Sequence, residues 1–544
     1  MTPQLDNQFY YLDNFHRVLD WIGSRYPDLL TGEEQAFLDR FPALPQPSRA
    51  LFVRMVMRKG ALFRASKLNY AEIGCAVEAS RALVATGWVV DDPEITLDEL
   101  FALLTKAEVA AVFGLPPHLK GARKPDQLEA LRVDFADARA FSAWCKDLPE
   151  RALRVEAQAL CDRLRLIFFG NFHQDWTEFV LSDLGIYKFE QVEFSSASRA
   201  FRCRRDVDYF LALHQCRERF NNGEDIGAVL RDVPPPVPDN EWLGSRREKL
   251  MFAIAQHYEK LHDWTCAHDA YRNCSYPGAR ARAVRVLEKA GRYQEAHELL
   301  TLAQRAPESD MERQHLARIA PRLASRLGHA RVRARRPGVD RIDLKLPMPG
   351  QDWWVEGVVR DHLTREDAPV FYVENTLINA LFGLLCWRAI FCAIPGAFFH
   401  PFHRAPADLH GADFHSRRAR EFAHCLAQLD NGEYRATILA NFAGKHGIQS
   451  PFLAWDFLSE ELLEMALDCI PPLHLRRAFE RILADVKANR SGFPDLIRFW
   501  PAEKRYQMIE VKGPGDRLQD NQLRWIEYCA THGMPVSVCY LQWE

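Results

Sequence analysis

No Cys-x-x-Cys pair occurs in this 544-residue chain, although it has thirteen cysteines. That excludes the commonest zinc modules. Cys386, Cys392, Cys469 and Cys529 lie inside apolar helical patterns, so a disulfide framework is not expected either. Reduced core cysteines fit a cytosolic protein. An excess of charge is also missing: 70 Lys and Arg stand against 73 Asp and Glu, a formal net charge of −3. Any nucleic-acid surface must therefore be local, since the molecule is no polycation. The first residues, "MTPQLDNQFYYLDNF", have neither a basic stretch nor an apolar one, so no secretory leader is expected. Long apolar runs are scarce. The one candidate, "ALFGLLCWRAIFCAIPGAFF" (380–399), carries Arg388 near its middle and Pro395 near its end. A lone mid-span arginine is costly in lipid, so the segment is read as a buried core helix and no membrane partner is expected.

What is present describes a soluble, multidomain, mostly α chain, too long for a single core. Residues 1–93 read as a helical region whose basic stretch "RALFVRMVMRKGALFRASKLNY" suits DNA. Residues 94–206 form a second part. It opens with two short helices around a Gly/Pro-rich turn (96–131), the first started by a Thr96/Glu99 capping box. The apolar clusters near 165–205 admit strands. Residues 207–332 contain an internal repeat: "YEKLHDWTCAHDAY" (258–271) matches "LEKAGRYQEAHELL" (287–300) at a spacing of 29 residues. This is similar to the helical hairpins of tetratricopeptide arrays, whose period is about 34, although any α-hairpin pair gives the same pattern. From residue 333 to 544 the texture becomes mixed strand and helix, as in an α/β core.

Chemistry concentrates in "GFPDLIRFWPAEKRYQMIEVKGPGD" (492–516), where two β-type runs flank the polar turn "PAEK". With pairing symmetric about residues 503 and 504, Asp495 lies opposite Lys512 and diagonal to Glu510. Glu510 and Lys512, two apart, share a face. Two carboxylates and an ammonium at one hairpin end suit phosphodiester hydrolysis. Hard oxygen ligands hold Mg²⁺ or Mn²⁺, and a lysine orients or deprotonates water and stabilises developing charge. Pro-Asp occurs four times, and chance completion by a later [Asp/Glu]-x-Lys has a probability on the order of one in four. Context adds weight, because the hairpin is followed by a helix ("DNQLRWIEYCATHG") and a strand ("PVSVCYLQW"). That is the order of a restriction-endonuclease-like core.

The run "GFPDLIRFW…MIEVKGPGDRLQDNQLRWIEY" resembles the VRR-NUC nuclease domain of the Fanconi-associated nuclease family, in the PD-(D/E)XK superfamily. "VENTLINALFGLLCWRAIF" is similar to that family's first nuclease-domain helix, and the helices at 96–131 to its SAP region. The resemblance implies metal binding by Glu374, Asp495, Glu510 and the Val511 carbonyl, with Lys512 as base or charge stabiliser. Gln522 either orients the site or lies on the surface, and Glu374 read alone is equally a charge complementing a helix dipole. The resemblance further implies Mn²⁺ or Mg²⁺, often two ions. It implies 5′-flap endonuclease and 5′-to-3′ exonuclease action in crosslink repair, by a cytoplasmic, nucleoid-associated monomer, with a dimer left open. Protein partners on the helical repeats fit the same picture. No ubiquitin-binding zinc finger precedes the helical region, and Asn521 stands where some relatives carry a basic residue. A junction resolvase on the same core, and a DNA-binding scaffold with a degenerate nuclease fold, are the rival readings.

Phosphate contacts need local positive charge. The candidates are Arg54, Arg58, Lys59, Arg64 and Lys67, then Lys120, Arg123 and Lys124. The Arg202/Arg204/Arg205 cluster and arginines 331, 333, 335 and 336 are further possibilities. Four histidines (His400, His403, His410, His415) are read as loop residues, because no cysteine accompanies them.

Overall fold

The computed structural model describes residues 7–175, 187–194, 198–199, 201–237, 239–328, 338–350 and 353–544. Arginines 331, 333, 335 and 336 lie outside the described residues. The chain forms two compact units, one of Met1–Tyr187 with Phe201–Val207, the other of Lys188–Ala200 with Asp208–Glu544.

In the first unit, helices Tyr10–Arg25, Gly32–Arg40 and Gln46–Val56 bury Phe15, Phe37, Phe41 and Phe52 against one another. Strands β1 (Leu62–Arg64), β2 (Val89–Asp91) and β5 (Ala152–Val155) form an antiparallel sheet in the order β1-β5-β2. The two-residue strands β3 (Glu94–Ile95) and β4 (Arg139–Ala140) pair separately. The expected Thr96/Glu99 capping box is formed, and a second one, Thr105/Glu108, starts the next helix. "LRLIFF" is not a strand. It ends helix Gln158–Phe169, which Gly170 stops in the left-handed conformation at φ 68°.

The second unit contains helical hairpins: Glu241–Lys260, Trp264–Arg272, Ala279–Lys289, Tyr293–Arg305 and Asp310–Arg326. The 29-residue repeat is a repeat of structure. His262 (φ 61°) and Gly291 (φ 77°) occupy equivalent positions, and each turns the chain between two helices with left-handed backbone.

The sheet that follows comprises β6 (Asp340–Leu346), β7 (Val370–Tyr372), β8 (Leu496–Trp500), β9 (Arg505–Lys512) and β10 (Val536–Trp543). Its order is β6-β10-β9-β8-β7, with β10 parallel to both neighbours and β8 antiparallel to both of its own. Strand, strand, helix (Asp520–Thr531), strand is the expected order of a restriction-endonuclease-like core. Arg318 forms an ion pair with Asp520, and Gln314 donates to the Asp520 carbonyl at 3.1 Å, so the last repeat helix grips the start of the 520–531 helix.

The apolar segment 380–399 is buried over most of its length, with Arg388, Ala393 and Pro395 exposed, but it is not one helix. Leu377–Leu385 and Trp387–Ile390 are separated at Cys386, and irregular chain follows. Among the described residues, no helix is long and apolar enough to cross a membrane.

Candidate active site

The β8–β9 turn decides which side chains meet. Pro501–Glu503 form one 3₁₀ turn and Lys504 takes φ 48°, so Trp500 pairs with Arg505 and Leu496 with Ile509. The strands are thus offset by two residues from symmetry about 503 and 504. One step further along this register, Asp495 lies across from Glu510, not Lys512. The correction leaves the face intact, because an offset of two preserves the side on which every side chain lies.

Asp495 sits just before β8. Its Oδ2 accepts the Val511 N–H at 2.8 Å, while its carbonyl accepts the Val373 N–H at 2.8 Å from the other side. Glu510 is fully buried, and neither of its oxygens accepts a well-directed hydrogen bond. It does have an ion pair, with Lys512 Nζ 2.7 Å from Oε1. Burial and the neighbouring Asp495 charge push Glu510 up to about 8, against the pull of Lys512. Burial likewise raises Asp495 to about 6, opposed by the Val511 N–H and Lys512 and assisted by Glu374 and Glu356. Crowded, desolvated carboxylates with raised pKa values are a frequent mark of a functional site.

Glu374 enters from between β7 and helix Leu377–Leu385. Tyr372 Oη donates to its Oε2 at 2.7 Å and Asn375 Nδ2 to its Oε1 at 3.2 Å. Asn375 adopts φ 51°, a left-handed conformation that asparagine tolerates better than most residues. Its Oδ1 accepts from both Gly492 N–H (2.7 Å) and Phe493 N–H (3.2 Å), which clasps the Glu374 turn to the approach of Asp495. Gly492, at φ 95°, is required there, since a Cβ would lie 2.7 Å from the Asn521 carbonyl carbon. Phe493 stacks on buried Trp525 with ring centres 3.9 Å apart, which fixes the same loop from the 520–531 helix.

Four of the expected residues are therefore gathered at one end of β8 and β9: Asp495, Glu510, Lys512 and Val511, with Glu374 on the adjoining turn. Gln522 is buried nearby, and its Oε1 caps its own helix by accepting the Gln519 N–H at 2.8 Å. Sequence reading missed Tyr372, Asn375 and Glu356. Asn375 had one local signal, its place directly after Glu374. Tyr372 had one as well, its place two residues before Glu374, and Glu356 had none.

The donor set consists of hard oxygens, with a buried carboxylate that lacks hydrogen bonds at its centre, and this suits Mg²⁺ or Mn²⁺. Among the described residues, no three His, Cys, Asp or Glu side chains are already drawn together as ligands of one ion. The histidines offer no alternative. His400 is buried and His403 half-buried, with rings 4.1 Å apart, and desolvation holds His400 well below its usual value and His403 at about 4. His403 Nε2 accepts the Phe399 N–H, so its Nδ1 carries the proton toward the Ala405 carbonyl.

The candidate DNA-binding residues divide. Arg64 is buried in ion pairs with Glu108 (2.8 Å) and Glu150 (2.9 Å), and Arg54 pairs with Glu72 while lying over the Tyr11 ring. Arg204 pairs with Glu34 at 2.6 Å, and Lys124 donates to the Leu104 carbonyl at 2.6 Å. These are structural commitments. Arg58, Lys59, Lys67, Lys120 and Arg123 are exposed, the last beside Asp126.

Three domain descriptions match the chain: the FAN1 HTH domain over residues 9–90, the Fanconi anemia-associated nuclease SAP domain over 94–144 and the VRR-NUC domain over 429–543. The chain is 55% identical to the Fanconi-associated nuclease 1 homolog of Pseudomonas aeruginosa, covering 100% of this chain and 97% of that protein. It is 24% identical to the Arabidopsis thaliana homolog, covering 97% of this chain and 66% of that protein. A crystal structure of paFAN1 bound to 2nt 5′ flap DNA with a gap aligns with a TM-score of 0.94 at 54% identity, over 100% of both chains.

Proposed function

The chain belongs to the Fanconi-associated nuclease family and is a divalent-metal-dependent nuclease, and from that premise we propose which of its residues cut and what they cut. The substrate is a 5′ flap or branched duplex. The activities are 5′-flap endonuclease and 5′-to-3′ exonuclease action, serving interstrand-crosslink repair at the nucleoid. The observation that carries the residue assignment is Glu510, a buried carboxylate without hydrogen bonds beside Asp495 and Lys512.

Glu374, Asp495, Glu510 and the Val511 carbonyl would hold Mn²⁺ or Mg²⁺, two ions in the fullest form. In an extended strand the N–H and C=O of one residue share an edge, so that carbonyl faces the side where Val511 meets Asp495. The metal, when bound, supplies charge for a phosphoryl oxygen and acidity for a water. The protein groups do the rest. Tyr372 and Asn375 fix the Glu374 carboxylate by donating to its two oxygens. The Val511 N–H fixes Asp495. Lys512, whose Nζ lies 2.7 Å from Glu510 Oε1, would orient the water or neutralise charge developing at the phosphorus.

The four-part division (1–93, 94–206, 207–332, 333–544) is retained as a working scheme in which the first parts bind duplex arms through Arg58, Lys59, Lys67, Lys120 and Arg123. The test is direct. End-labelled 5′-flap, 3′-flap and four-way-junction DNA are incubated with Mn²⁺ or Mg²⁺. Preferential incision of the 5′ flap supports the reading. Symmetric junction cleavage by a dimer supports a resolvase instead.

A further inference from the structure

The strands of the large sheet do not end together. β9 stops at Lys512, paired with Tyr540 of β10, while β10 runs on to Trp543, about 10 Å farther. There Trp543 meets Trp353 with ring centres 4.9 Å apart, and Met348 is exposed. Trp354 stands at the start of helix Val355–Leu363 and is 48% exposed. Its indole is nevertheless seated. A Cβ on Gly357 would lie 2.7 Å from Cε2, 2.8 Å from Cζ2 and 2.9 Å from Cδ2 of Trp354. Distances so alike to three fused-ring carbons place that point over the ring face, not at its edge. Glycine weakens a helix relative to alanine, and here its bare backbone is the bed of the indole. The Arg360 guanidinium carbon stands 5.3 Å from the ring centre, with the guanidinium tied to Asp361 at 2.7 Å.

This ledge adjoins the candidate site. Val355 lies against Gly513, where a Cβ would be 3.3 Å from Val355 Cγ2, and Gly513 directly follows Lys512. Glu356, one residue further on, bears on Asp495 and Tyr372 through its charge. An aromatic face fixed on one side and exposed to solvent is a surface on which a nucleobase stacks, since every base has a π-face. A base inside a duplex already stacks on its neighbours, so only one that has left the duplex can use it. We propose that Trp354 is a stacking platform for one unpaired base of the strand being cut. The inference rests on the nuclease reading above. Trp354 is then a substrate-binding residue that reads no base edge, and it holds a purine, with the larger face, better than a pyrimidine.

The test is an abasic scan with the full chain. A single abasic nucleotide is moved along the cut strand of a 5′ flap, with affinity read by anisotropy in chelator and KM read with Mn²⁺. For the native protein, one position should weaken affinity and raise KM about tenfold or more. Trp354→Ala should raise KM on intact DNA by a similar factor, with a smaller change in kcat, and be indifferent to the abasic nucleotide at that position. Trp354→Phe should keep part of the effect. Gly357→Ala, which keeps the tryptophan but unseats it, should behave as Trp354→Ala does, with melting curves confirming that both variants fold. A flat profile in the native protein overturns the proposal, as does an unchanged profile in Trp354→Ala. A loss spread evenly over all positions overturns it too, leaving the indole a support for its own helix. So does self-association that Trp354→Ala abolishes while the profile stays flat, which assigns the ledge to a second copy of the chain. Failure of the native protein to cut unmodified DNA strikes instead at the nuclease reading, so the two failures are distinguishable.

Discussion

The Val511 N–H donates to Asp495 Oδ2 at 2.8 Å, so a main-chain group of β9 holds the carboxylate that we propose as a metal ligand just before β8. An asparagine at 495 keeps an acceptor for that N–H and loses only the charge. Asp495→Asn is expected to fold with an unchanged or higher melting temperature and to bind flap DNA as the native protein does. Its cleavage rate should fall by about a hundredfold to a thousandfold. Thermal melts, gel shifts and single-turnover cleavage together check this. Near-native cutting removes Asp495 from the site.

Stability without metal should depend on pH in a defined direction. Asp495 is raised to about 6 and Glu510 to about 8, so between ordinary carboxylate values near 4 and these, the folded chain holds more protons than the unfolded one. Stability therefore falls as pH rises through that window. Glu510→Gln should remove much of the fall, and Mn²⁺ should raise the melting temperature more at about pH 8 than at about pH 6. Melting curves in chelator and in Mn²⁺ measure both. A flat profile without metal contradicts the burial argument.

Lys512→Ala removes the ion-pair partner of a buried carboxylate. Above about pH 8, where Glu510 is charged, it should destabilise the metal-free protein; it should also retain metal-induced stabilisation and cut far more slowly. Lys512→Arg keeps the charge but does not deprotonate near neutral pH. Full activity in the arginine variant would leave Lys512 an electrostatic role only.

The basic residues of the first unit should separate by mutation. Arg64→Gln breaks two internal ion pairs, so it should lower the melting temperature and leave the salt dependence of DNA binding unchanged. Lys59→Glu with Lys67→Glu should do the reverse, lowering the slope of log affinity against log salt by roughly 0.9 for each phosphate no longer neutralised. Fluorescence anisotropy across a salt series measures the slope. An unchanged slope in the lysine double variant means these residues touch no phosphate.

Much of the β8–β9 hairpin of the candidate site was legible because its information is local. Alternating apolar residues, a polar turn and a carboxylate and an ammonium two apart (Glu510 and Lys512) specify a face, and the face survives an error in the turn. The offset itself was not legible: Lys504 takes a left-handed conformation that no glycine or asparagine announced. Glu356 stayed hidden for a different reason: helix Val355–Leu363 is brought near Asp495 only by folding, across more than a hundred residues of sequence. Arg54 and Arg64 read as free positive charge because Glu72, Glu108 and Glu150, their partners, are brought near only by folding. The repeat at 258–271 and 287–300 was visible since each copy contains its own turn. The break at Cys386 carried no signal, in a segment apolar from end to end.

The central claim is that Glu510 is a buried ligand whose charge the metal needs. Glu510→Gln keeps its size and removes that charge, and one titration decides the matter: the melting temperature against Mn²⁺ concentration, read alongside single-turnover incision of a 5′ flap. The native protein should gain stability with saturable Mn²⁺ binding and cut. The variant should start out more stable in chelator at about pH 8, gain little from Mn²⁺ and leave the flap intact while still binding it. A glutamine variant that matches the native protein in Mn²⁺ stabilisation and in cleavage rate would contradict the assignment.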